Sequence, residues 1–119
     1  EAALYLAQEA VEFIRNTRDN NVLTGENWLN GLSACTSGIC AIDSPSNTIT
    51  GCATSCDPLK LSSSGVYGYV NGENTAFVRE IALREISPDR EATIDVEIRW
   101  RQGLVERDFT IREHLFNWQ

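Results

Sequence analysis

The spacing of apolar residues changes along this chain from a helical period to a strand period, and this change limits the folds open to it. Near the start, apolar residues recur every three or four positions, as on one face of a helix. From Gly65 onward they alternate with polar residues, as in strands that bury one face. Helix and strands in separate parts of a chain predict a two-layer α+β domain.

The predicted helix covers residues 1–19 and ends at Asp19-Asn20-Asn21. Its apolar residues form two neighbouring rows, which make a wide apolar band. We expect this band to cover the sheet, although its width leaves room for a second partner such as another subunit. The side chains predicted to pack on the sheet are Leu4, Leu6, Ala7, Val11 and Ile14.

The start of this helix carries no capping signal. The apolar pattern is already present at Glu1, and no Ser, Thr, Asp, Asn or Pro precedes it to satisfy the first amide groups. We therefore interpret the helix as the lower part of a longer one, whose upstream portion belongs to the working molecule.

Four cysteines lie in a segment rich in Ser, Thr and Gly, within a predicted loop over residues 20–64. An even, local set of this kind is typical of two disulfides in an exported protein. Three pairings are open, and a four-thiolate zinc site is the alternative, although its ligand pairs are usually separated by two residues. The predicted disulfide residues are Cys35, Cys40, Cys52 and Cys56. Trp28 is predicted to anchor the loop to the body of the domain.

Residues 65–119 are predicted to form a four-stranded antiparallel meander. Asn71-Gly72 favours a first hairpin, Ser87-Pro88-Asp89-Arg90 a second turn, and Arg101-Gln102-Gly103 a three-residue hairpin loop. The complete prediction is a single domain, residues 1–119, with one long amphipathic helix packed on this meander and a disulfide-linked loop between them. The predicted sheet core consists of Ile94, Val96, Ile98, Trp100, Phe109 and Ile111.

The composition argues against several classes of function. A formal net charge of −7 without a Lys/Arg cluster disfavours a nucleic-acid interface. His114, the only histidine, has no recognisable catalytic partner nearby in the sequence, so we predict neither an enzyme nor a resident cofactor or metal. Asp43 and Asp57 are candidates for weak calcium binding, but hydrogen bonding to nearby amides is the favoured role.

Four sequence segments resemble the type IV pilin and pseudopilin family, in particular its minor, prepilin-type subunits, and this resemblance extends over nearly the whole chain. Two of them, residues 5–12 and 14–20, resemble the part of the pilin helix that leaves the membrane. The other two, residues 98–103 and 115–118, resemble the final hairpin and terminus of such subunits.

This resemblance implies a pilin-like fold and a mechanical function. It implies a precursor held in the bacterial cytoplasmic membrane by an upstream apolar helix, which then packs with other pilin subunits at the centre of a cell-surface filament. Such a contact propagates helically and does not close. On this interpretation the isolated domain is monomeric. The alternative is a free-standing exported binding or adhesin module that uses the disulfide-linked loop for recognition.

Overall fold

The computed structural model describes residues 2–118, so Glu1, predicted to begin the helix, and Gln119 lie outside the described residues. Most of the described chain forms one antiparallel sheet, with a 22-residue helix against one face. In chain order the elements are α1 (Ala2–Leu23), α2 (Ser33–Thr36), β1 (Cys40–Asp43), β2 (Thr48–Gly51), β3 (Pro58–Leu61), β4 (Tyr67–Gly68), β5 (Glu73–Ser87), β6 (Glu91–Gln102) and β7 (Val105–Phe116).

The predicted fold class, a long helix on a four-stranded meander, is wrong because the sheet has seven strands. The central strand is β5, which pairs with β6 along one edge. Its other edge is shared by β1, through Cys40 opposite Ile81, and by β3, through Leu61 opposite Glu73. The segment expected to be a loop therefore supplies short strands that cover the backbone groups of β5, which would otherwise be unpaired.

The predicted first hairpin is also wrong. The strand before Asn71-Gly72 is only the two-residue β4, and it pairs with β3 and not with β5. Gly72 has a φ of +104°, and a side chain at this position would collide with the carbonyl group of Leu61. Gly72 thus permits β3 to pass close to the start of β5, which is a different use of glycine from a hairpin turn.

Of the remaining two turns, the one between β5 and β6 lies where the sequence places it, and the one between β6 and β7 is displaced toward Leu104. The turn between β5 and β6 is closed by a hydrogen bond from the Arg90 amide to the Ser87 carbonyl, and Asp89 adopts a φ of +60°. Between β6 and β7, Gln102 lies opposite Val105, so the hairpin loop has two residues where three were predicted. Gly103 occupies its first position with a φ of +64°, which glycine adopts without strain.

The helix continues past its predicted end because Asn21 is buried and contacts the following loop. Its side-chain amide donates to the carbonyl groups of Trp28 and Asn30, at 3.1 and 2.8 Å. The helix then ends before Gly25, which has a φ of +77°. Trp28 itself is 3% exposed and belongs to the hydrophobic core.

One face of α1 packs on the sheet, mainly against β6 and β7. Leu6, Ala7, Val11 and Ile14 are buried there, whereas Leu4, also predicted on this face, is 41% exposed. Burial of each large aliphatic side chain contributes about 2 kcal/mol, so packing and not helix propensity holds α1 in place.

The predicted sheet core divides into a buried centre and a half-buried margin. Ile94, Val96 and Ile98 on β6 are completely buried beneath α1. The residues closer to the β6–β7 hairpin loop or on the outer strand are only partly buried, because the sheet extends beyond the helix that covers it. These residues are Trp100, Phe109 and Ile111; Trp100 also contacts Phe77, with 5.7 Å between ring centroids.

Candidate functional site

The two disulfides join cysteines that are close in sequence. Cys35 at α2 pairs with Cys40 at the start of β1, with 4.9 Å between their Cα atoms. Cys52 pairs with Cys56 across the loop after β2, with a Cα separation of 5.2 Å. Because all four thiols are consumed, none is left as a zinc thiolate, and the alternative of a four-thiolate zinc site is excluded. Two disulfides indicate an oxidising environment outside the cytoplasm.

The second disulfide is fixed to the sheet by Glu80 on β5. One carboxylate oxygen of Glu80 accepts a hydrogen bond from the Cys56 amide at 2.9 Å. The same carboxylate receives two hydrogen bonds from the Arg99 guanidinium on β6, at 2.8 and 3.2 Å. This bidentate ion pair holds a mostly buried carboxylate in a fixed orientation.

The environment of Glu80 stabilises its charged form. The hydrogen bonds from Arg99 lower the pKa of the Glu80 carboxyl below its ordinary value, and the Cys56 amide acts in the same direction, while burial opposes them. The connection between the disulfide and the sheet is therefore stronger when Glu80 is ionised.

Arg79 joins the helix to two strands from inside the core, with a side chain that is 1% exposed. Its guanidinium donates to the carbonyl of Leu6 at 3.0 Å, to the carboxylate of Glu9 at 2.7 Å and to the carbonyl of Ile42 at 2.8 Å. Sequence reasoning missed this residue, because Arg79 lies at an ordinary position in a strand and resembles the exposed arginines around it.

Asp43, at the end of β1, organises the neighbouring loops and is 7% exposed. One carboxylate oxygen accepts a hydrogen bond from the Tyr69 amide at 2.9 Å, and the other accepts one from the Ser46 hydroxyl. This is the amide-binding role that was favoured over calcium. Across residues 2–118, no three His, Cys, Asp or Glu side chains are arranged to hold a metal ion.

A cavity of about 420 Å³ opens between the second disulfide and the loop after β4. Hydroxyl groups and the carboxylates of Asp43 and Asp57 give it a polar wall, and the ring of Tyr69 lines one side. Burial raises the pKa of the Tyr69 phenol; Arg79 lowers it, and the carboxylates of Asp43 and Asp57 raise it. The polar wall of this cavity is suited to contact a small polar group.

His114 lies on the outer face of β7 and does not line this cavity. Its Nδ1 lies 2.7 Å from the carboxylate of Glu91, and its ring stacks on Phe116. Two further ion pairs on this face join β6 to β7. Arg112 binds Asp95 through two hydrogen bonds of 2.6 and 3.0 Å, and Arg101 pairs with Glu106 at 3.3 Å.

No protein-family model, curated protein or solved structure matches the chain. Among the helices of the described chain, none is both long and apolar enough to span a membrane.

Proposed function

We propose that this chain is a structural subunit of a type IV pilus or of a type II secretion-like filament, in the role of a minor pilin or pseudopilin. The supporting observation is that α1 is attached to the sheet on one side and exposes apolar side chains on the other. One side of the helix is fixed to the sheet, while Leu4 and Tyr5 in its first turns remain 41% and 55% exposed. Exposed apolar side chains at this end of a rigidly held helix are suited to contact neighbouring subunits.

The attachment of α1 suits a mechanical role. Arg79 ties the helix to β5 and β1 through Leu6, Glu9 and Ile42, and a second arginine, Arg18, donates to the Phe116 carbonyl at the end of β7. Force applied along the helix would pass into the sheet through these contacts at both ends. Each disulfide limits how far the few residues that it encloses can extend under load.

In the proposed mechanism, an apolar helix upstream of α1 holds the precursor in the bacterial cytoplasmic membrane. After assembly that helix packs with its copies at the filament centre, and the sheet faces outward. Association then depends on helix packing and on surface complementarity in a head-to-tail contact. The sequence segments that resemble pilins, in α1 and in the β6–β7 hairpin, support this assignment.

The second candidate is a free-standing exported binding module, and the cavity beside Cys52–Cys56 favours it. The encoded sequence upstream of Glu1 distinguishes the two functions. A short basic leader followed by about 20 apolar residues supports the filament subunit. A secretory signal with a small-residue cleavage site directly before this domain contradicts it and supports the binding module.

A further inference from the structure

Among residues 2–118, no strand pairs with the outer edge of the 12-residue strand β7. Within residues 2–118, β7 pairs only with β6. A long open edge invites another strand to add to the sheet, so proteins usually shorten, cover or charge such edges. This edge is charged, but its charges are ordered so that the strand is complementary to a reversed copy of itself.

The backbone groups that face outward are those of the even-numbered residues. The Asn117 amide donates to the Arg90 carbonyl, and the hairpin loop closes between Gln102 and Val105, so the odd-numbered residues of β7 bond to β6. The Phe116 carbonyl points outward and is bound by Arg18 at 2.7 Å. The free groups therefore lie from Glu106 to His114.

The side chains of β7 are complementary to the same strand in the reverse direction. The strand reads Val-Glu-Arg-Asp-Phe-Thr-Ile-Arg-Glu-His-Leu-Phe, with Thr110 at the centre of the complementary part. An antiparallel copy related by a two-fold axis through Thr110 places opposite charges together, apolar residues together and Glu106 opposite the imidazole of His114. The facing pairs are Glu106 with His114, Arg107 with Glu113, Asp108 with Arg112, Phe109 with Ile111, and Val105 with Leu115.

Other two-fold registers are less favourable. An axis through Arg107, Asp108 or Arg112 places a charge directly opposite its own copy, which is destabilising. An axis through Phe109 leaves Arg107 opposite Ile111. The register about Thr110 alone gives a complementary partner to Arg107 and Asp108, which form no ion pair within the described residues.

The ends of the strand fit the same register. Leu104 and Val105 at the hairpin loop are 95% and 52% exposed, an apolar spot that the single chain leaves uncovered. Beyond the other end of β7, Trp118 is 66% exposed and packs on Phe116, with 4.9 Å between ring centroids. The axis through Thr110 brings Leu104 of one copy opposite Phe116 of the other, so each exposed spot would cover its counterpart.

We propose that two copies of this chain associate edge to edge through β7, antiparallel and two-fold symmetric about Thr110. The outward groups from Glu106 to His114 would form about ten hydrogen bonds between the copies. Ion pairs within one chain are compatible with this contact, because a strand inside a sheet has neighbours on both sides. Arg112 would lie between Asp95 of its own chain and Asp108 of the second copy.

This pairing does not rest on the filament proposal, and it replaces the expectation of a monomeric domain. A two-fold contact cannot propagate along a polar filament. In a filament it would join subunits of two fibres that lie antiparallel, so its presence or absence leaves the filament proposal untouched.

The test is sedimentation equilibrium of the purified chain over a range of concentrations and salt. We expect a monomer–dimer equilibrium that weakens with added salt. Thr110→Pro removes the amide at the axis without disturbing the hydrogen bonds to β6, and it should leave only monomer. Thr110→Val keeps the amide and should still dimerise. A wild-type chain that is monomeric at every concentration overturns the proposal.

Swapping the charges of two facing residues tests the register. The same experiment tests the dimer if Thr110→Pro fails to fold. Asp108→Arg should weaken the dimer about tenfold or more, because two attractive pairs become repulsive. Adding Arg112→Asp together with Asp95→Arg to that variant reverses both members of each pair, keeps an opposite charge beside residue 112 within the chain, and should restore the affinity. Equal affinities for all three chains contradict the proposed register.

Hydrogen exchange gives a residue-level signature. In the monomer, amides from Glu106 to His114 should alternate between fast exchange at even positions and slow exchange at odd positions. Dimerisation should slow the even-numbered amides selectively. Fast exchange of these amides in a dimer would place the contact elsewhere and overturn the proposal.

Discussion

At the scale of single residues, two charged side chains hold the parts of this fold together. Arg79 connects α1 to β1 and β5 from inside the core, and Glu80, on the opposite face of the same strand, connects the second disulfide to β6. Their neighbouring positions on β5 place one side chain on each face of the sheet. Both are predicted to be sensitive to substitution, for different reasons.

Replacing Arg79 by methionine should destabilise the domain by about 3 kcal/mol. The substitution keeps the length of the side chain but leaves the Glu9 carboxylate and two carbonyl groups without their donor. Arg84→Met on the exposed part of the same strand is the matched control and should change the stability by less than about 0.5 kcal/mol. Equal denaturant midpoints for the two variants would disprove the role of Arg79.

Replacing Glu80 by glutamine should reduce the stability by about 2 kcal/mol at pH 7, through loss of charged hydrogen bonds. Because folding lowers the pKa of Glu80, its contribution is present above the carboxyl pKa of the unfolded chain and is lost as the pH falls through the lower pKa of the folded chain.

The difference in unfolding free energy between the wild type and Glu80→Gln should therefore shrink on acidification. Glu12→Gln on the exposed face of α1 serves as the control and should show little difference at any pH. Denaturant titrations across the acidic range measure both differences. A constant gap between wild type and Glu80→Gln would contradict the argument.

At the scale of secondary-structure elements, the interface between α1 and β6 determines whether the domain folds. Substituting Leu6 by aspartate puts an unpaired charge into this interface and should destabilise the domain by several kcal/mol. Gln8→Asp introduces the same group two residues away on the exposed side and should be nearly neutral. Thermal unfolding of both variants gives the comparison; unchanged melting of Leu6→Asp would exclude the packing.

The sequence predicts the long elements better than the short ones. The alternation from Ile94 to Trp100 and the turn at Ser87–Arg90 are strong local signals, so β6, β7 and their connections could be expected. Strands β2 and β4 have four and two residues and a composition close to that of loops, so the seven-stranded sheet could not be derived. Their place in the sheet depends on β1 and β3, which join it through long-range pairing with β5, and such pairing leaves no local pattern.

The candidate site was likewise predictable only where a local sequence pattern indicates it. Clustering of cysteines predicts disulfides, but their connectivity depends on distances between Cα atoms that spacing does not give. The positions of Arg79, Glu80 and Asp43 depend on which strands meet β5. A buried arginine or carboxylate is the same residue type in the sequence as an exposed one, so Arg79 and Glu80 could not be distinguished from their neighbours beforehand, whereas Asp43 was predicted to bind nearby amides.

At the scale of the whole molecule, the sheet presents an open edge and the helix presents exposed apolar side chains at its first turns. The first surface suits a second copy of this chain, and the second suits the neighbouring subunits of a filament. The disulfides place these contacts outside the cytoplasm. Each surface can be altered without touching the other, so the two proposals can be tested separately.

The filament proposal is tested most directly by mass spectrometry of filaments sheared from cells that encode this chain, compared with culture supernatant cleared of filaments. We predict peptides of the chain in the sheared fraction, with their loss when the filament's major subunit is deleted. Replacing both Leu4 and Tyr5 by serine should reduce this recovery, while Gln8→Asp should not. Recovery only from the cleared supernatant, unchanged by that deletion, would contradict the proposal that the chain is a filament subunit.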